Sequence, residues 1–375
     1  MFKVLCSFLL IAISLSAQSI VITDYDKEIN SFLFNGQWEK SDSLIGLKLE
    51  NEPNSVRYNF MKAYNYFYAR FIGNDNPFSR EETMRQVKKY AWDAIKFGEE
   101  SSESLENSFF TGVSYAYLAR INAMERDFWL AYWNASKSEN YLEDIIDLNP
   151  DFADAYLNLG IFEYFAARNI TGLQNVLAWL GGMSGDSETG IEYVNKAAEE
   201  GHLFKDEANY VLGLIHNFGE NDLPLAYEYW NALSEKFPSS NYFGLQVNRT
   251  YIGKLVEEKG VDFLNREFED LDSLYGINNP VPLNLLGYSL MNQNRLDEAL
   301  TVFKVNLKKY PDIANSYDSM AECYLNRGEN ENAIKYYKMA FEKLKTDTTV
   351  TDQFREFLEQ NIRNQLEELS ADLEV

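Results

Sequence analysis

The chain has 375 residues, with 34 Lys and Arg against 58 Asp and Glu, so its formal net charge at pH 7 is −24. A chain this acidic lacks the clustered cations that bind a phosphate backbone, which excludes a nucleic-acid partner and disfavours contact with anionic membranes. Solubility is the simplest reason for so large a charge.

The N-terminus has the layout of a secretory signal peptide. Lys3 supplies the positive end, residues 4–15 form a short apolar run, and Ala17 precedes a plausible cleavage point. The sequence therefore predicts a signal peptide of residues 1–17 and an exported protein, periplasmic or secreted. The alternative is an uncleaved anchor, because Leu15 is a poor residue before the cut. Membrane contact is then expected only through this segment or through a partner.

One cysteine, Cys323, remains after cleavage, because Cys6 lies within the signal peptide. A single thiol cannot form an internal disulfide, so the fold must be stabilised by packing. The 25 Tyr, 25 Phe and 6 Trp supply apolar surface for it. With no low-complexity linker, residues 18–350 are predicted to form one continuous domain, followed by a capping helix and tail at 351–375.

From residue 21 onwards the apolar positions have helical spacing, and the breaks between them predict eight helix pairs. The predicted pairs are 21–34 with 37–51, 56–72 with 80–98, 105–123 with 127–148, 153–168 with 187–200, 205–218 with 223–236, 241–256 with 259–274, 281–293 with 296–309, and 315–327 with 330–344.

The fourth pair is interrupted by residues 169–190, an apolar stretch around Trp179 followed by a Gly-rich stretch. The simpler interpretation is an inserted helix that packs back onto the array, with a turn into the next helix. The functional alternative is a lid or docking element that carries Trp179.

The last two pairs repeat with a fixed period. Gly287 and Ala321 are 34 residues apart, as are Ala299 and Ala333, and Phe303 follows in the second helix of its pair. This pattern resembles the tetratricopeptide repeat (TPR) family, in which small residues let paired helices approach and aromatic residues fill the space between pairs. The resemblance implies an all-α fold: a right-handed TPR-type α-solenoid of about eight helix pairs.

A helix at 351–372 is predicted to cap this array. One side carries an apolar stripe and the other is charged, which suits an element that covers the last repeat. The stripe comprises Phe354, Phe357, Leu358, Ile362, Leu366 and Leu369.

The residues that could carry chemistry are few. His202 and His216 are predicted to be capping or packed residues, and Cys323 a buried apolar side chain. No metal or cofactor is predicted, and the chain is interpreted as non-catalytic. The alternative is an all-helical toroid glycosidase, because carboxylates are abundant.

The TPR resemblance implies that first helices line a concave groove. The groove candidates are Tyr64, Phe67, Tyr68, Ile161, Tyr164, Phe165, Trp179, Tyr288, Met291, Asn292, Asp318, Glu322 and Asn326. The main hypothesis is a scaffold that binds a protein or peptide there. The alternative is an accessory protein of an envelope transporter that binds a small apolar ligand or lipid.

Overall fold

The computed structural model describes residues 20–74, 78–101, 104–168 and 185–372. All regular secondary structure within these ranges is helical, which confirms the predicted all-α solenoid class. None of the described helices combines the length and the apolar character needed to cross a membrane.

The described residues contain seventeen α-helices. They are α1 (Asp24–Phe34), α2 (Trp38–Asn51), α3 (Val56–Ile72), α4 (Arg80–Glu100), α5 (Leu105–Met124), α6 (Phe128–Leu148), α7 (Tyr156–Ala167), α8 (Ser187–Glu200), α9 (Lys205–Leu214), α10 (Leu223–Lys236), α11 (Asn241–Lys259), α12 (Phe263–Arg266), α13 (Val281–Asn292), α14 (Leu296–Lys309), α15 (Ala314–Asn326), α16 (Asn330–Leu344) and α17 (Asp352–Asp372).

The helices begin where the sequence supplies a capping side chain. The hydroxyls of Ser55, Ser79 and Ser104 accept from the backbone N–H groups three residues on, at the starts of α3, α4 and α5. At α1, Thr23 and Asp26 form a reciprocal capping box. These bonds satisfy N–H groups that have no partner within the helix.

The turns inside the helix pairs share a left-handed residue. Gly36 and Gly328 have φ of 76° and 74°, whereas Asn221 and Asn294 have φ of 57° and 59°. Glycine adopts this conformation freely and asparagine tolerates it. Arg126 holds the same conformation with φ of 64°, so its turn is strained.

The second helix predicted at 259–274 is wrong. Gly260, with φ of 74°, lies directly after the end of α11. The four-residue α12 and a 3₁₀ turn at Phe268–Asp270 follow in place of a full helix. This irregular segment still buries Phe263, Leu264 and Leu271 completely. The apolar residues of this segment are therefore buried in irregular chain, although their spacing indicated a helix.

Close helix approach within the pairs depends on glycine. A Cβ at Gly213 would lie 2.7 Å from Cζ2 of Trp230, and one at Gly112 would lie 2.8 Å from Cβ of Tyr141. At Gly287 the added atom would overlap the ring of Phe303. These glycines occupy the position that the repeat pattern reserves for a small residue, so the predicted close contact is confirmed in these three pairs.

The described chain divides into two compact units. Unit 1 comprises residues up to Leu212 together with Ala232–Gly244, and unit 2 comprises Gly213–Asn231 and the residues from Leu245 onwards. The arrangement as one continuous domain stays a prediction.

The core of unit 2 extends into the capping helix α17. Leu358, Ile362 and Leu369 are buried there, with Leu366 packed beside them. Phe354 and Phe357 lie outside this core, because their residues are 39% and 65% exposed. The predicted stripe therefore covers the last repeat only from Leu358 onwards.

Most of the interruption at 169–190 lies outside the described residues, and Trp179 with it. Where the description resumes, Asp186 caps α8 and its N–H donates to Oε2 of Glu163 at 2.9 Å. A Cβ at Gly190 would lie 2.6 Å from the backbone N of Tyr164, so α8 needs glycine to approach α7.

Candidate functional site

The groove residues predicted on α3 are core residues of unit 1. Tyr64 and Tyr68 are each 1% exposed and Phe67 is 8% exposed. Their rings pack against one another, with the centroids of Tyr64 and Tyr68 5.0 Å apart. These side chains pack inside unit 1 and do not line an open groove.

Other residues of unit 1 cover the side of α3 that carries Tyr64 and Tyr68. The ring of Phe204, just before α9, lies 5.9 Å from that of Tyr64, and the ring of Tyr210 lies 5.6 Å from that of Tyr68. Nδ2 of Asn30 donates to the backbone carbonyl of Leu203. Residues 203–210 therefore fill the inner side of α3, a long-range contact that repeat spacing does not reveal.

A buried polar network closes the same region. Oε1 of Glu207 accepts from Nη1 of Arg120 at 2.7 Å and from the hydroxyl of Tyr117 at 2.8 Å. Nη2 of Arg120 donates to Oδ1 of Asn158 at 2.6 Å. Burial, with a further contribution from Glu207, raises the pKa of Tyr117 well above its ordinary value. These hydrogen bonds link α5, α7 and α9, which gives the network a role in stability.

The candidates on α7 are divided between core and surface. Tyr164 is 1% exposed, Ile161 is half-buried and Phe165 is exposed. Only Phe165 presents a large apolar surface to solvent.

Unit 2 brings several predicted residues together on its first helices, α13 and α15. The hydroxyl of Tyr288 donates to Oε2 of Glu322 at 2.7 Å and lies 3.2 Å from Oγ of Ser319. Burial and the Glu322 carboxylate raise the pKa of Tyr288 far above its ordinary value. The phenol therefore stays protonated and donates to Glu322.

Two oxygen acceptors beside this pair are unsatisfied. Asp318 is 5% exposed, and its Oδ1 has no hydrogen-bond partner among the described residues. Oδ1 of Asn284, on α13, also has none among these residues. Burial, then repulsion from Glu322, raises the pKa of Asp318 to about 7. Asn284, Tyr288, Asp318 and Glu322 are called the acceptor face below.

The remaining candidates surround the acceptor face. Asn292 is exposed, and its Nδ2 donates to Oδ1 of Asn221 at 2.9 Å. Asn326 is also exposed and donates to the backbone carbonyl of Glu322 at 2.9 Å. Met291 is half-buried against the core of unit 2. Both amides keep polar atoms that a partner could use.

The histidines and the thiol are engaged in structure. The backbone N–H of His202 donates to Asp154, and the ring of His216 stacks on Tyr229 at 5.6 Å. Burial lowers the pKa of His216 and raises that of Cys323 to about 11, which makes the thiol a poor nucleophile. No group of three potential metal ligands occurs among the residues that the structure describes.

Comparison with known proteins identifies one repeat in unit 2. A family model described as tetratricopeptide repeat matches residues 285–312. The chain contains a tetratricopeptide repeat at these residues. The predicted family resemblance is thus confirmed, and the matched segment contains Gly287, Ala299 and Phe303, the residues that first indicated the repeat.

Solved TPR structures resemble the chain only distantly. The crystal structure of yeast Tom70 has 11% identity and a TM-score of 0.31, covering 94% of this chain and 89% of its own. The TPR2AB domain of yeast Sti1, solved in complex with pHSP90, has 12% identity and a TM-score of 0.25, covering 92% and 97%. Scores this low carry no argument about function. No curated protein matches the chain.

The TPR register explains the composition of the acceptor face. Asn284 and Asp318 are 34 residues apart, as are Tyr288 and Glu322, so each pair occupies one position of consecutive repeats. Sequence reasoning missed Asn284, although counting back one period from Asp318 would have found it. That its oxygen is unsatisfied could be learned only from the structure.

Proposed function

We propose that this TPR protein is an exported, non-catalytic scaffold that binds a protein or peptide through the acceptor face of unit 2. The observation that carries the proposal is the pair of unsatisfied oxygens on Asn284 and Asp318, at the same position of two successive repeats. The signal-like N-terminus supports the exported setting.

An unsatisfied buried acceptor is destabilising, and a partner that donates a hydrogen bond removes that cost. Two such acceptors one repeat apart suit an extended segment, which presents backbone N–H groups at regular intervals. A carboxylate beside a second carboxylate also favours a cation. The proposed partner segment is therefore extended and contains Lys or Arg.

The protonation state of Asp318 should respond to such a partner. With its pKa raised to about 7, the side chain is only partly ionised at neutral pH. A bound Lys or Arg favours the ionised form and so lowers this pKa. Binding should consequently release protons, and affinity should rise from pH 6 to pH 8.

The test uses the whole chain and a fluorescent peptide of alternating Lys and Ala, with a Glu/Ala peptide of equal length for comparison. Anisotropy should show binding of the Lys peptide alone. Glu322→Gln should weaken it about tenfold, the cost of one charge-assisted hydrogen bond. Glu331→Gln, which removes one charge from an exposed position on α16, is the matched control and should have little effect.

Two further variants separate the parts of the face. Asp318→Asn should abolish the increase in affinity between pH 6 and pH 8. Asn292→Ala and Asn326→Ala, made together, should weaken binding without loss of helicity. Equal affinity for the Lys and Glu peptides, or equal losses of affinity in Glu322→Gln and Glu331→Gln, would show that the acceptor face does not recognise the charge of the partner.

A further inference from the structure

Unit 1 contains a cavity of about 310 Å³ that the TPR register does not predict. It lies where the end of α3, the start of α4 and the end of α5 meet. Most of its wall is apolar and comes from all three helices: Phe67, Phe71, Met84, Ile121 and Met124. A site of this size and composition is at the small end of cavities that bind organic ligands.

Three polar groups interrupt the apolar wall. Arg70 and Arg80 both line the cavity and are exposed, so their guanidinium groups can reach its mouth. Nη2 of Arg80 donates to the backbone carbonyl of Met124 at 2.9 Å, which leaves its other N–H donors available. Two arginines at one cavity are notable in a chain with 24 more acidic than basic residues.

The third polar group is the hydroxyl of Thr83. This residue lines the cavity and is only 3% exposed, yet its Oγ1 has no hydrogen-bond partner among the described residues. A buried hydroxyl without a partner is uncommon in native proteins. A ligand oxygen inside the cavity would supply the missing acceptor.

The local field also favours a negative ligand. Arg80 and Thr83 belong to the first turn of α4, a helix of 21 residues whose N-terminus carries partial positive charge. Glu82 in the same turn is paired with Arg85 at 2.6 Å, and Glu125 nearby is paired with Lys88. These pairings reduce the repulsion that an incoming anion would meet, and Glu81, the other acidic residue of this turn, is exposed to solvent.

We propose that this cavity binds a small amphiphilic carboxylate, with its oxygens held by Arg70, Arg80 and Thr83 and its tail among the apolar side chains. A volume of about 310 Å³, at the small end of ligand-binding cavities, suits a ligand of about ten heavy atoms. A carboxylate with eight carbons has that size. Charge-assisted contacts to two guanidinium groups give the head group its selectivity.

The experiment is calorimetric titration of the full chain with octanoate, and with octan-1-ol as a ligand with the same tail and no charge. Octanoate should bind saturably with one site per chain, at least tenfold more tightly than octan-1-ol. Arg70→Gln should weaken octanoate binding about tenfold or more, as expected for a lost charge-assisted contact. Lys89→Gln, which removes one positive charge from an exposed position of α4 that does not line the cavity, is the matched control and should bind normally.

A second measurement locates the ligand. In chain labelled at its methionine methyl groups, octanoate should shift the resonances of Met84 and Met124 and leave that of Met339 in unit 2 unchanged. The comparison with octan-1-ol uses the unaltered chain, so it remains decisive if a variant misfolds. Absence of saturable octanoate binding, equal affinity for octan-1-ol, or an equal loss in Lys89→Gln would each overturn the proposal.

Discussion

Replacing Gly287 by leucine tests the repeat register most directly. Gly287 lies on α13 where the second helix of its pair, α14, approaches, and a Cβ there would overlap the ring of Phe303. Phe303 is fully buried, so its ring has no solvent-exposed position to move into. The added side chain must therefore separate the two helices or displace the ring.

The expected magnitude combines two opposing effects. Replacing glycine by leucine within a helix stabilises the helix by somewhat less than about 1 kcal/mol. Inserting carbon atoms into a packed core costs about 1–3 kcal/mol, and occasionally more. Because leucine adds four carbons where even the first has no room, the cost should dominate. We expect Gly287→Leu to lower the free energy of unfolding by about 1–3 kcal/mol or more.

The assay is denaturant and thermal unfolding, monitored by far-ultraviolet circular dichroism. Gly46→Leu is the matched control, because Gly46 lies within α2 and a Cβ there meets no atom within 4 Å. That variant should be stabilised by up to about 1 kcal/mol. If Gly287→Leu left the unfolding midpoint unchanged, or raised it as the control does, the 34-residue register would have to be abandoned.

Three further predictions follow from buried charge and backbone strain. Because the pKa of Asp318 is raised from 3.8 to about 7, the stability linked to its protonated form is present at low pH and lost as pH rises towards 7. In urea unfolding, the free energy of unfolding of Asp318→Asn should therefore rise by about 3 kcal/mol relative to that of the wild type between pH 5 and pH 8. A difference between the two proteins that did not change with pH would contradict this. Arg120→Met should lower the free energy of unfolding by about 3–5 kcal/mol because it leaves the Glu207 carboxylate buried without its cation, and adding Glu207→Gln should restore at least half of the loss in the same assay. Arg126→Gly should raise the unfolding free energy by about 0.5–1 kcal/mol by relieving its left-handed φ, whereas Glu125→Gly should lower it; equal effects would refute the assignment of strain.

The sequence by itself determined the helix pairs and their register. Ala299 and Phe303 repeat at Ala333 and Tyr337, and all four are buried where the repeat predicts. Such features are readable because a solenoid repeat packs mainly on its neighbours, so short-range spacing encodes the contacts. The segment at 259–274 marks the limit, since an apolar pattern does not separate a helix from buried irregular chain.

The tertiary structure alone decided which aromatic side chains are surface and which are core. Tyr64 and Tyr68 occupy positions that would face a groove in an open array, but residues 203–210 return across more than a hundred residues to cover them. The structure also shows that Asp318 is buried without a hydrogen bond to its Oδ1, and that α3, α4 and α5 leave a cavity beside Arg70. Repeat spacing fixes contacts between neighbouring helices, whereas burial and unsatisfied polar groups depend on which distant segments meet.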